Sequence, residues 1–142
     1  MKDEYLHKAK RTDNGEWVQG SLVYDNRDDM YRIITEINYS TGTCITTDNA
    51  PRVDASTICQ CTGLKDKNKT LIWENDIVRD EYGNFYKAIW HNNYYEFCWV
   101  CIKSDIEIFV GDKRDLWSIA KSSEIEVIGN IFDNSDLLES EG

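Results

Sequence analysis

The sequence predicts an all-β fold. It reads as an antiparallel barrel or sandwich, either one compact unit or two fused small barrels (one SH3-like), with a short C-terminal helix. Two observations carry this. Apolar runs rich in β-branched and aromatic side chains recur about every ten residues, with Asn, Asp and Gly clusters between them, as strands joined by tight turns would. Aromatic residues make up 12% of the chain, with five Trp, eight Tyr and four Phe, and large flat side chains suit a pleated surface. The 142 residues are read as a single domain 1–142, with candidate subdomains at about 1–70 and 71–142.

Taken in order, residues 5–10 are a short mixed segment suited to an edge strand. Asp13-Asn14-Gly15 signals a hairpin turn, because Asn-Gly accepts positive φ. Trp17–Tyr24 is a strand, Asp25–Asp29 an acidic loop, and Met30–Ile37 a partly alternating strand. Residues 43–55 read as loop around a short strand at Cys44–Thr46, with Pro51 in the irregular part. The stretch Ser56–Cys61 is a strand, and Lys65–Lys69 is a charged reversal in which Asp66 and Asn68 can bond their own backbone. Leu71–Trp73 resumes the apolar pattern, Glu74-Asn75-Asp76 turns again, and Ile77-Val78 opens the next strand.

Beyond Tyr82-Gly83-Asn84, Phe85–His91 and Tyr94–Ile102 form a predicted hairpin, and Ile106–Val110 is a further short strand. In Asp112–Lys121, the spacing of Leu116, Ile119 and Ala120 hints at a helix. Glu124–Phe132 is a strand, and Asn134 is placed to cap a short terminal helix with Asp136 near its positive end. The segment Glu74–Val100 suits a small SH3-like barrel by analogy.

Three blocks carry a family resemblance. Thr62-Gly63-Leu64-Lys65-Asp66-Lys67-Asn68, then Glu74-Asn75-Asp76-Ile77-Val78, then Glu126-Val127-Ile128-Gly129-Asn130-Ile131 resemble, in that order, the YopX family of small phage and prophage proteins. Asp13–Val18 also fits the family's opening turn. Lys69 and Asn75 stand where the family usually has Gly, which supplies positive φ without a Cβ clash. Asn tolerates that conformation better than Lys, so Asn68 or a rearranged turn is expected to absorb the strain. Ser135 replaces the family's usual Pro, and Cys61 a usual aromatic. The resemblance implies a β-rich class and a phage or prophage origin, and it supplies no catalytic residue.

Composition bounds the function. With 26 acidic and 16 basic residues the net charge is −10. Such a surface repels phosphate backbones and anionic lipid, so direct nucleic-acid or membrane binding is not expected. The first residues lack the apolar core of a signal peptide, no run reaches transmembrane length, and five cysteines fit a reducing compartment. A cytoplasmic protein of the bacterial host cell is the expectation.

Each candidate chemistry has a plainer reading. Cys59, Cys61, Cys98 and Cys101 suggest zinc at first sight. However, Cys98 and Cys101 sit inside a strand, where positions three apart face opposite sides, and buried small hydrophobes are the expectation. His7 and His91 have no partner motif. The carboxylate pairs Asp105/Glu107 and Asp76/Asp80 suit solvated faces in a chain this acidic. No loop matches a phosphate-binding pattern. We therefore expect neither catalytic residue, metal nor cofactor.

The aromatic residues of the predicted hairpin fall on both of its faces. Tyr86, Trp90, Tyr95, Phe97 and Trp99 form the candidate partner surface, for a protein partner or for self-association into a homo-oligomer; a two-sided core is the competing reading. The leading expectation is a non-enzymatic phage accessory protein acting through protein–protein contacts. The alternative is an acidic nucleic-acid mimic that inhibits a host DNA-binding protein. An enzyme would require a pocket with convergent polar groups and shifted pKa values.

Overall fold

The computed structural model describes residues 6–35, 50–91, 96–103, 113–115 and 125–138. It is built of antiparallel strands in two sheets. The chain divides into two compact units, Met1–Cys61 and Thr62–Gly142. This division falls inside a strand and earlier than the boundary near residue 70 drawn from the sequence.

In the first unit, β1 (His7–Lys10) lies between β2 (Trp17–Asp25) and the start of β5 (Cys59–Lys65). It is therefore an interior strand rather than the expected edge: His7 pairs with Gly20 on one side and Gln60 on the other. Next to β2 come β3 (Met30–Ile34) and β4 (Arg52–Val53). Ala9, Ile33 and Val53 are buried together, with Val18, Leu22 and Ile58 packed against them. Fully burying a side chain such as Ile33 contributes about 1.5–3 kcal/mol. Gly20 permits the close approach of β3, because a Cβ there would lie 2.2 Å from the Ile34 carbonyl oxygen.

The strand expected over Ser56–Cys61 begins only at Cys59. Ala55–Thr57 is a 3₁₀ turn whose cap, Asp54, accepts the Ser56 N–H at 3.0 Å. Local side-chain bonding outcompeted the β-propensity of Thr57 and Ile58. Thr62, Gly63 and Leu64 continue β5, so the reversal starts later, at Asp66.

In the second unit, the end of β5 adjoins β6 (Leu71–Trp73). Then β7 (Asp76–Arg79), β8 (Phe85–His91), β9 (Glu96–Lys103), β10 (Lys113–Asp115) and β11 (Glu126–Asn130) form a sheet in the order β10-β9-β8-β7-β11. Its core is Ile72, Val78, Tyr86, Ala88, Trp99, Cys101 and Ile125. Among the described residues both strand orders are open and no pairing closes a barrel.

Lys113–Asp115, within the stretch where the sequence hinted at a helix, pairs with β9 as a strand; Leu116, Ile119 and Ala120, whose spacing gave that hint, lie outside the described residues. The rest of Asp112–Lys121, the strands expected at Cys44–Thr46 and Ile106–Val110, and Tyr94 and Tyr95 lie outside the described residues. The C-terminal helix is a single 3₁₀ turn over Ser135–Leu138. Asn134 does not cap it with its side chain, whose oxygen instead accepts the Asn130 N–H at 3.2 Å. That oxygen would lie 2.4 Å from a Cβ at residue 129, so Gly129 makes room for the contact beside the bulge in β11.

Candidate functional site

The three blocks that carry the family resemblance converge on one another. Asp66, 6% exposed, accepts the backbone N–H groups of Asn68 (2.8 Å) and Thr70 (2.9 Å) on one carboxylate oxygen and of Val127 (2.9 Å) on the other. The Lys67 N–H donates to the Ile125 carbonyl, and Glu126 pairs with Lys67 at 3.1 Å and with Arg79 at 3.5 Å. In the second block, buried Asp76 accepts the Trp73 N–H at 2.9 Å. Asn75 donates its N–H to Ala88 and accepts that of Ile131. A buried carboxylate is tolerated when several N–H donors satisfy it, so these acids hold turns and register.

The two departures from glycine keep the backbone that glycine would have. Lys69 has φ 65° and Asn75 φ 70°. Neither Asn68 nor a rearranged turn absorbs the strain: Lys69 itself enters the left-handed region, held by Asp66 on either side of it.

The predicted partner surface divides. Register pairs Tyr86 with Cys101, Ala88 with Trp99 and Trp90 with Phe97, so by strand alternation all these side chains share one face. Tyr86 is 6% exposed and Trp99 fully buried; they belong to the core and are removed from the candidate surface. Burial pushes the Tyr86 hydroxyl up to about 12, helped by Asp80, whose carboxylate accepts its O–H at 3.1 Å. Trp90 and Phe97 are half-buried at the end of that face and stack edge to face, centroids 5.0 Å apart. Tyr95 lies outside the described residues.

Of the other candidates, Asp105 and Glu107 lie outside the described residues, and His7 and His91 stand in β1 and β8. Cys59, Cys61, Cys98 and Cys101 are buried, and the register of β9 places Cys98 and Cys101 on opposite faces. Asp80 accepts the Tyr82 and Asn84 N–H groups, each at 2.9 Å, so Asp76 and Asp80 close turns where the sequence reading gave them solvated faces.

The first unit carries a site that the sequence reading passed over. Tyr24 and Tyr31 are cross-strand partners on β2 and β3, on the face that bears Leu22 and Ile33. Their ring centroids are 5.2 Å apart with planes at 60°, and they remain 51% and 37% exposed. They border an open groove of about 830 Å³, whose other walls include Arg11, Asp29, Val53 and Asp54. The Tyr24 hydroxyl donates to the Asp29 carboxylate. The available signal was symmetry: Tyr24 and Tyr31 flank one acidic hairpin loop, and residues so placed meet across a ladder.

Behind this hairpin lies an ion cluster. Buried Asp25 pairs with Arg27 at 2.8 Å and Arg32 at 3.1 Å; Asp28 pairs with Arg32 at 2.7 Å and Arg52 at 2.9 Å. Arg32 also donates to the Ala50 carbonyl at 2.8 Å. The side-chain and backbone hydrogen bonds from Arg27 hold the Asp25 carboxyl well below the usual carboxylate range, against desolvation. The cluster fixes the hairpin that presents the tyrosines.

These features define a small antiparallel all-β protein whose shared sequence blocks build backbone geometry and whose exposed aromatic groove lies elsewhere. A family model described as YopX protein matches residues 7–139, and the chain belongs to the YopX family. It is similar to the crystal structure of protein EF1440 from Enterococcus faecalis, at a TM-score of 0.55 and 26% identity over 94% of this chain and 96% of that one. No curated protein matches the chain.

Proposed function

We propose that this YopX-family protein is a non-enzymatic protein-binding module, a phage or prophage accessory factor working in the cytoplasm of the bacterial host cell. The observation that carries this reading is the Tyr24–Tyr31 pair, two rings left 51% and 37% exposed above an open groove. Tyrosine supplies a large, rigid contact area at little entropic cost and is enriched where interfaces concentrate their energy. Non-enzymatic action agrees with the carboxylates: Asp66, Asp76 and Asp80 are engaged by backbone N–H groups.

The nucleic-acid mimic gains no support from the acids described. Several are neutralised by arginine, as Asp13, Asp25 and Asp28 are, or turned inward, as Asp66 and Asp76 are. The test is affinity capture of the tagged protein from bacterial lysate, with and without competitor DNA. A protein partner retained despite the DNA is expected. Basic partners displaced by DNA would favour mimicry, and an empty capture would contradict the binding reading.

A further inference from the structure

The chemistry of the groove specifies the kind of partner, an inference that rests on the protein-binding reading. Arg11, a cation of the groove, is engaged: it donates to both carboxylate oxygens of Asp13, at 2.9 and 2.7 Å. Lys10, also on the lining, holds its ammonium 5.4 Å from the centroid of the Trp17 ring.

The two groove carboxylates are differently placed. Asp54 uses a single oxygen to accept the Ser56 N–H (3.0 Å) and hydroxyl (2.7 Å). Those Ser56 bonds hold its carboxyl below the ordinary range, so it is ionised at neutral pH. Asp29 likewise uses one oxygen, for the Tyr24 hydroxyl. Among the described residues the second oxygen of each accepts no hydrogen bond, and a carboxylate offers about four lone-pair sites.

We infer that the groove takes a cationic side chain, arginine or lysine, of a partner polypeptide, laid against the Tyr24 and Tyr31 rings and paired with Asp29 and Asp54. An aromatic face attracts a cation through its quadrupole, and a carboxylate beside it adds a charged acceptor. The net charge of −10 steers such a partner towards the molecule and repels an acidic one.

The experiment titrates the full chain with two blocked glycine-rich peptides, one carrying arginine and lysine, the other glutamates at the same positions. The readout is the ring resonances of Tyr24 and Tyr31. The cationic peptide is expected to shift both rings and the acidic peptide neither. D29N/D54N, which keeps the oxygens that accept from Tyr24 and Ser56, should bind the cationic peptide about tenfold more weakly. Should that variant not fold, D54N alone, which leaves both rings and the Tyr24–Asp29 bond in place, carries the same comparison.

No ring shift, an equal shift with the acidic peptide, or unchanged affinity in the variant would overturn the inference. The two readings fail separately. A lysate partner retained without a peptide-induced shift removes the cation site alone. Ring shifts with an empty lysate capture remove the protein-binding reading and leave the cation site standing.

Discussion

At the scale of single residues, the blocks shared with the family are explained by backbone needs. Asp66 is placed so that one side chain serves three N–H groups from two distant stretches. Asp66→Ala should destabilise the protein by about 1–3 kcal/mol, since the half-buried Val127 N–H loses its acceptor while Asn68 and Thr70 are exposed and can turn to water; urea unfolding would show it. Lys69 gives the opposite case. An L-residue in the left-handed region costs about 1–2 kcal/mol, while glycine's unfolded-state entropy returns about 0.5–1 kcal/mol of that gain. Lys69→Gly should therefore stabilise by about 0.5–1 kcal/mol, read as a raised Tm. An unchanged or lowered Tm would mean that the lysine is not strained. The sequence marked this turn as unusual but not which residue would yield. That choice depends on Asp66 accepting N–H bonds from Asn68 and Thr70 on either side of Lys69.

At the scale of elements, both hairpins repeat one design. In β2–β3 the buried face ends in Tyr24 and Tyr31; in β8–β9 it ends in Trp90 and Phe97. The β8–β9 hairpin was legible because long aromatic and β-branched runs flank an Asn-containing turn. The burial of Tyr86 and Trp99 was not legible, because it depends on what packs over the sheet, here Ile72 and Ile125. The strand at Lys113–Asp115 was not legible for a similar reason: β10 exists through its pairing with β9, and a short segment carries little signal of its own.

The Asp25–Arg32 cluster makes the first hairpin pH-sensitive. A carboxyl whose folded pKa lies below its ordinary value near 3.8 adds stability that is present above that value and lost as pH falls through the folded pKa. Asp28 is also lowered: desolvation opposes the shift, and the bonds from Arg52 and Arg32 outweigh it. Wild type should therefore hold its urea resistance from neutral pH down to roughly pH 5 and lose it progressively below that, and Asp25→Asn should be weaker at neutral pH with a shallower acid dependence. Parallel pH profiles for the two proteins would contradict this assignment.

At the scale of the whole molecule, the β class, most strand positions and the family were legible, because strand periodicity and turn residues are local signals. The division into units was less so: it falls within β5, where no Gly- or Pro-rich break marks it. Of the expected surface, Tyr86 and Trp99 turned out buried, because dense aromatic runs are also what cores are made of. Tyr24 and Tyr31 are merely two tyrosines on either side of an acidic loop until the register brings them together. The three family blocks thus build turns and register in the second unit, and the Tyr24–Tyr31 groove lies outside them.

That separation is tested most directly by comparing wild type, D66A and Y24S/Y31S in lysate capture, with Tm measured on each. We predict that Y24S/Y31S melts close to wild type yet loses the retained partner, while D66A loses stability first. A tyrosine variant that folds and retains the same partner in the same amount would contradict the assignment of binding to this groove.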